Sequence, residues 1–450
     1  TPLRHLQSRA GVAVELVIRN AIVITADQDR RVITDGGVAV SQGRIVAVGT
    51  AAELAPWESG AARVLDASGM ILMPGLINTH CHAGDSLFRG LVEDLPLEAW
   101  LQTVWKAEGA ILNAETSYLG TVLGFAEQLL TGVTTVMDMF WYPHETVRAA
   151  RTLGMRVSTG GIFFDPPGVN GHTPERRIAE AERFFADFSG ADDVFAAVMP
   201  HGAYTVSPDT LKHARRITDS HGGLYSIHAA ETRAEQADIQ ARYGRSVIRH
   251  LDAHGLLDER TVLAHCVHLD DEEIAILART RAVVSHNPVS NLKLGSGIAR
   301  IPDMLAAGVR VTLGTDGAIS GNDLDMWLAL RLAAMLHKGA NEKADAVSTH
   351  QALDMLTRDA ADALGAGARI GSLETGKLAD MVLVDASRAH AVPMFDPVTH
   401  LVYSAGKADV RHVFLAGAQV VADGRLTRVD LDETLAAVRA LTPAIAASIA

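Results

Sequence analysis

The stretch Ile71-Leu72-Met73-Pro74-Gly75-Leu76-Ile77-Asn78-Thr79-His80-Cys81-His82 decides the fold. It opens as an apolar run of strand character and closes on two histidines flanking a cysteine. Read as one strand, Ile71–His82 is the first of a series. Strand-like runs recur at Thr134–Phe140, Arg156–Phe164, Phe195–Tyr204, Leu224–Glu231, Thr261–Leu269, Ala282–Asn291 and Val309–Asp316. Helical stretches such as Glu115–Leu130, Pro174–Phe188, Pro208–Ser220 and Asp271–Arg279 separate them. Eight β-then-α units in sequence predict an α/β chain with a closed parallel (β/α)₈ barrel. A doubly wound open sheet competes with it. No G-x-G-x-x-G follows an early strand, so the dinucleotide-binding version of that sheet has no support.

Outward from this region, both chain ends read as small β-structure. Leu16–Ile24, Gly37–Val40 and Arg44–Val48 are Val- and Ile-rich, with Ser41-Gln42-Gly43 as the turn between the last two. The pattern returns at Met381–Val384, Val410–Leu415 and Val420-Val421. The expected organisation is a small β-sandwich domain from residues 1–70 plus 371–450, around a catalytic barrel at 71–370. Ala-rich Leu435–Ala450 reads as a terminal helix.

The composition narrows the partners. With 40 Lys plus Arg against 53 Asp plus Glu, the formal charge is −13, which speaks against nucleic acid. Two cysteines, Cys81 and Cys266, make no disulfide framework and fit a reducing compartment. No uninterrupted apolar stretch approaches a membrane span, and Thr1 to Val14 has no apolar core followed by a cleavage site. A cytoplasmic protein acting on a small molecule, without membrane contact, is the expectation.

In a barrel of this kind, catalytic groups gather at the C-terminal ends of the strands. Residues two apart on a strand share a face, so His80 and His82 point to the barrel mouth together while Cys81 turns away. Among 19 histidines an H-x-H alone says little. The other strand ends change that: His201, His228 with Glu231 beyond it, His265, His286 and Asp316. Buried titratable groups need a partner, and a metal ion is the partner that serves them all. His80, His82, His228 and Asp316 make a sensible ligand set with room for a water, whose pKa the metal lowers. Glu231, three residues past His228, is placed to shuttle a proton, and His265 to steady a tetrahedral intermediate. Asp316 thus counts as ligand and catalytic residue. Cys81, Cys266 and His268 read as structural, Asn291 and Lys293 as ordering the strand-seven loop, and Trp100 and Trp105 could simply cap the core.

Five segments together resemble the amidohydrolase superfamily: Pro74–His82, His228-Ala229-Ala230-Glu231, Leu263-Ala264-His265-Cys266, Ser285-His286-Asn287-Pro288 and Gly314-Thr315-Asp316-Gly317. Leu87–Gly90, Asp94–Pro96, Ser290–Gly297 and Asn322–Met326 resemble the 5-methylthioadenosine/S-adenosylhomocysteine deaminases and their triazine-hydrolase relatives. The resemblance runs from about Leu16 to Arg425. It implies one divalent metal, zinc first and iron second, and hydrolytic deamination of an aminated N-heterocycle such as an adenosine derivative. A triazine chlorohydrolase or a guanine- or pterin-type deaminase is the alternative, and a non-catalytic barrel scaffold a remote third. Binuclear members carry a Lys at the end of strand four, and Phe195–Tyr204 has none. The resemblance also implies a homodimer or homotetramer. It places Trp100, Glu108, His201 and Ser320 at the substrate, with Glu108 on ribose hydroxyls. Two departures stand out. Trp100–Glu108 is one residue shorter than in those deaminases, and Gly161 stands where S-adenosylhomocysteine deaminases carry an Arg. Arg176 or Arg177 is the candidate replacement.

Overall fold

Two sheets carry the chain. The computed structural model describes residues 13–450, so nearly all of the Thr1 to Val14 reading, and the start of the 1–70 segment, lie outside the described residues. The first sheet is mixed and nine-stranded. It takes Leu16–Ile24, Val32–Ser41, Arg44–Thr50, Val64–Asp66 and Met70–Pro74 from one end of the chain. From the other end come Met381–Asp385, Val410–Leu415, Ala418–Ala422 and Arg425–Leu426. The two ends meet where Met70–Pro74 pairs antiparallel with Met381–Asp385. Both arms share one core: Ile18, Val38, Val40 and Ile45 from the first, Met381, Leu383 and Phe414 from the second. Burying those faces together gives the small sheet its stability.

The second sheet is the barrel. Its eight parallel strands follow chain order: Leu76–Cys81, Val133–Asp138, Arg156–Phe163, Val194–Pro200, Leu224–Ala229, Thr261–His265, Val283–His286 and Arg310–Leu313. First and last strands meet at a seam, where the Thr315 and Asp316 N–H groups donate to the His80 carbonyl at 3.2 and 3.0 Å. The Thr79 hydroxyl bonds the Leu313 carbonyl across the same seam.

The stretch expected as one strand, Ile71–His82, is two. Met70–Pro74 belongs to the small sheet and Leu76–Cys81 to the barrel. The change of partner happens at a single step: the Gly75 N–H goes to Asp380 O, and the Leu76 N–H to Gly132 O. Both halves are buried, so hydropathy carries no mark of the switch. The strand-seven run is also shorter than expected. It stops at His286, and Pro288–Lys293 forms a short helix whose first residue, Pro288, spends no amide there. The terminal helix begins earlier than expected and spans Leu431–Ala447, capped by the Asp430 carboxylate.

One buried ion pair joins the two units. Arg156, at the start of the third barrel strand, grips Asp380 through Nε at 2.8 Å and Nη2 at 3.2 Å. Asp380 also accepts the Ala416 amide at 2.7 Å. Replacing Asp380 with Ala strands a buried guanidinium, so a loss of about 3–5 kcal/mol is expected in denaturant unfolding. An unchanged midpoint would show the pair to be dispensable. No helix among the described residues is long and apolar enough to cross a membrane.

Candidate active site

The site is assembled where several barrel strands end. His80, His82, His228 and Asp316 present ligand atoms that all lie within 4.8 Å of one another. His80 Nε2 is 3.3 Å and His82 Nε2 3.1 Å from Asp316 Oδ1. The other Asp316 oxygen is held by the Ser290 hydroxyl at 2.7 Å and the Ser320 hydroxyl at 2.9 Å. That leaves Oδ1 free to turn toward the imidazoles. Backbone at this level is unusual: Ala230, His265 and Asp316 have φ of 53°, 78° and 60°. Non-glycine residues adopt that region at a cost, and such residues cluster at functional sites.

The donor set fits a divalent cation. His82 Nδ1 lies 2.6 Å from Met139 O and His228 Nδ1 2.6 Å from His201 O, so each ring donates its Nδ1 proton to a carbonyl. When the rings are neutral, both Nε2 atoms carry lone pairs, and these face each other at 3.2 Å. His80 Nε2 is buried with no hydrogen-bond partner. A positive charge between these groups resolves the contact. Burial lowers the His82 pKa, yet the Asp316 hydrogen bond and charge outweigh it and bring it to about 9. Burial also works against the Asp316 anion, but His80 and His82 hold its pKa well below the usual carboxylate range. Three imidazoles, two of them oriented by carbonyls, with one carboxylate, suit a zinc-type ion.

Beside this cluster, His265 Nε2 lies 3.6 Å from Glu231 Oε2. His265 donates its Nδ1 proton to Asn291 Oδ1 at 2.8 Å, which turns Nε2 inward. Burial raises the Glu231 pKa, with the His265 charge pulling the other way. The backbone under Glu231 is clamped by the buried Glu235 carboxyl. It accepts the Ala230 and Glu231 amides at 3.2 and 2.7 Å, and burial pushes its pKa up to about 8.

A pocket opens from these groups, roofed by the helix Leu97–Ile111. Leu97, Trp100, Val104, Ala107 and Glu108 recur at helical spacing and turn one buried face inward. Trp100, Trp105, Phe140, Trp141 and Ile162 make the walls, with His201 and Glu108 among the polar groups. His201 Nδ1 lies 2.8 Å from the Thr205 hydroxyl, which itself donates to Gly202 O. The Nε2 lone pair of His201 is therefore left as an acceptor. Glu108 accepts the Trp141 indole N–H at 3.0 Å, and burial raises its pKa to about 7. Among the described residues lining the pocket there is no Lys or Arg.

The sequence profile of the amidohydrolase family matches residues 71–420. The chain belongs to the amidohydrolase family. A 5-methylthioadenosine/S-adenosylhomocysteine deaminase of Syntrophobacter fumaroxidans is 41% identical to it over 426 residues, covering 94% of this chain and 97% of the relative. A 5′-deoxyadenosine deaminase of Methanopyrus kandleri is 37% identical, with 94% and 97% covered. A solved adenosine deaminase from Xanthomonas campestris with bound zinc superposes on this amidohydrolase with a TM-score of 0.93 at 33% identity, covering 96% of this chain and 98% of that one.

Most residues singled out in the sequence meet in this site. Ser320 lines the pocket, but its hydroxyl is committed to Asp316 and Gly317 O. His286 does not meet the others: its Nε2 lies 3.1 Å from His337 Nε2, toward the helix Met326–Ala340. Cys81 and Cys266 are buried in the layer between barrel and helices, as strand alternation predicts. Arg176 is exposed on the helix Pro174–Asp187. Arg177 is buried, with its guanidinium 5.6 Å from the Trp141 ring centroid, and bonds Pro167 O and Asn170 outside the pocket. Neither replaces an Arg at position 161. A Cβ on Gly161 would lie 2.5 Å from the Ala181 Cβ, so the helix crosses where a side chain would go.

Sequence reasoning missed Ser290, Asp85 and the orienting role of Asn291. Asn291 was expected only to order a loop, yet it fixes the His265 tautomer. Asp85 had a signal, a carboxylate three residues past the H-x-H.

Proposed function

We propose that this amidohydrolase is a metal-dependent aminohydrolase that removes the exocyclic amine of an adenosine derivative with a small, apolar 5′ end. The observation that carries it is the pocket itself. It sets Glu231 and His265 beside the four-ligand cluster and surrounds the space beyond with aromatic walls and one oriented carboxyl, Glu108. The names of the three relatives above, a methylthioadenosine/S-adenosylhomocysteine, a 5′-deoxyadenosine and an adenosine deaminase, agree with it.

His80, His82, His228 and Asp316 would hold one divalent ion, zinc before iron. When bound, such an ion supplies Lewis acidity and brings the pKa of water toward neutrality. Glu231 retains a proton to higher pH than an exposed glutamate, because burial disfavours its charge. It can therefore deliver that proton to the ring nitrogen beside the amine-bearing carbon. His265 Nε2, within reach of Glu231 Oε2, hydrogen-bonds the developing tetrahedral centre. Water adds at the amine-bearing carbon and gives its proton back to Glu231, which passes it to the amine; the C–N bond then breaks and the amine departs as ammonia. Trp100 and Trp105 pack on the heterocycle, His201 contacts its edge, and Glu108 accepts from a ribose hydroxyl. Ser320 acts by steadying Asp316.

The far end sets the preference. S-adenosylhomocysteine carries an α-carboxylate, and burying it without a counter-charge is costly. With Gly161 closed off and Arg177 outside the pocket, no basic partner is offered. Ammonia release should therefore give kcat/KM for 5′-deoxyadenosine and methylthioadenosine above that for S-adenosylhomocysteine by roughly 10-fold or more. S-adenosylhomocysteine as the best substrate would refute the apolar 5′ end. Chloride release from a chlorotriazine, with no ammonia from any nucleoside, would refute the deaminase reading.

A further inference from the structure

We infer that Asp85 is a specificity-determining residue that joins Glu108 in clasping the vicinal hydroxyls of a riboside substrate, an inference that rests on the nucleoside reading above. Asp85 sits in the tight turn Ala83–Phe88, immediately after His82. The turn packs hard against the pocket wall: a Cβ on Gly84 would lie 2.0 Å from the Phe140 ring. Only glycine lets the chain pass there, and the next side chain is delivered into the pocket.

Asp85 is 5% exposed and lines the pocket beside Glu108. Both residues present carboxyl oxygens to the same cavity. Trp141 fixes Glu108 from the other side. Asp85 Oδ1 is buried with no partner among the described residues. Asp85 Oδ2 lies against Gly317, 3.2 Å from where a Cβ would be, so the residue after Asp316 leaves room for it. A buried acceptor without a donor is costly, and the deficit is met when a ligand supplies one.

Chemistry selects the ligand group. An adenosine derivative has few hydrogen-bonding features. Its exocyclic amine belongs at the metal cluster and the adjacent ring nitrogen at Glu231. What remains in one place is the pair of neighbouring 2′ and 3′ hydroxyls. Each hydroxyl both donates and accepts. A carboxylate oxygen accepts from a hydroxyl, so two carboxyls facing one cavity offer two acceptors to two neighbouring hydroxyl donors. The match is between a two-hydroxyl edge and a two-carboxyl edge.

The test compares adenosine, 2′-deoxyadenosine and 3′-deoxyadenosine on the metal-loaded full chain, for wild type, Asp85→Asn and Asp85→Ala. Specificity is taken as a ratio of kcat/KM within each protein, so the fraction folded cancels. Wild type should prefer adenosine, and Asp85→Ala should lower that ratio by roughly 10-fold or more, mainly through KM. Asp85→Asn, which keeps the shape and an acceptor, should fall between. Wild-type enzyme indifferent to the missing hydroxyls overturns the inference. So does Asp85→Ala slowing all three substrates equally, which is the mark of a packing role. No ammonia from any nucleoside overturns the nucleoside reading itself, whereas deamination without diol preference overturns only the role of Asp85.

Discussion

Glu231→Gln is expected to lower kcat on the order of 10³-fold or more at unchanged metal content and melting temperature. The substitution keeps size and shape, and it keeps a neutral group where burial already disfavours charge. The backbone under it does not depend on the side chain, because Glu235 holds the Ala230 and Glu231 amides. The side chain itself makes only a long bond from the Ser296 hydroxyl, at 3.4 Å. Little structure is therefore lost. What disappears is a proton that can leave and return 3.6 Å from His265 Nε2. An amide cannot release it at any working pH, so raising or lowering pH should not restore the rate. Turnover near the wild-type value, measured as ammonia release, would remove Glu231 from the mechanism. A drop in KM with unchanged kcat would point instead to ground-state binding.

Stripping divalent metal by dialysis against a chelator should reduce ammonia release to background. One equivalent of zinc per chain should bring it back. The same treatment should cost stability: a ligand present at about 100 times its Kd contributes about 3 kcal/mol. The reason lies in the cluster. Three imidazoles and a carboxylate have ligand atoms within 4.8 Å of one another, and His80 Nε2 has no other partner. His82 and His228 have already spent their Nδ1 protons on carbonyls. Without a cation, His82 must take up a proton, its pKa raised despite burial to about 9 by Asp316, to keep its Nε2 from facing the His228 lone pair at 3.2 Å. Elemental analysis and differential scanning calorimetry on the same samples decide the matter. An equal melting temperature with and without metal, in protein that never held more than a trace, would refute the assignment.

The sequence was informative where physics acts locally. Period-two and helical patterns placed all eight barrel strands, because each strand and helix must bury its own face. Motifs at the strand ends were legible for a related reason: a parallel barrel brings the C-terminal ends of its strands to one mouth, so six separate positions could be read as one place. His286 shows the limit of that reasoning. It ends a strand like the others, but its ring turns out to His337 on a helix 51 residues later. Strand position alone does not say which way the last side chain leaves the barrel.

The barrel, and the meeting of His80, His82, His228 and Asp316 at its mouth, thus followed from the sequence by itself, through periodicity and residue chemistry. The tertiary structure decided the rest. It cut Ile71–His82 into two strands of different sheets, since both halves are equally buried and only their hydrogen-bond partners differ. It closed the Gly161 position with Ala181 and kept Arg177 outside the pocket, because a helix packed on the third strand occupies that space. It also set Asp85 in the same pocket as Glu108, 23 positions later, which happens only once the turn after His82 and the helix Leu97–Ile111 fold over that pocket. Contacts of that kind depend on how elements pack across the barrel mouth, and no local pattern encodes them.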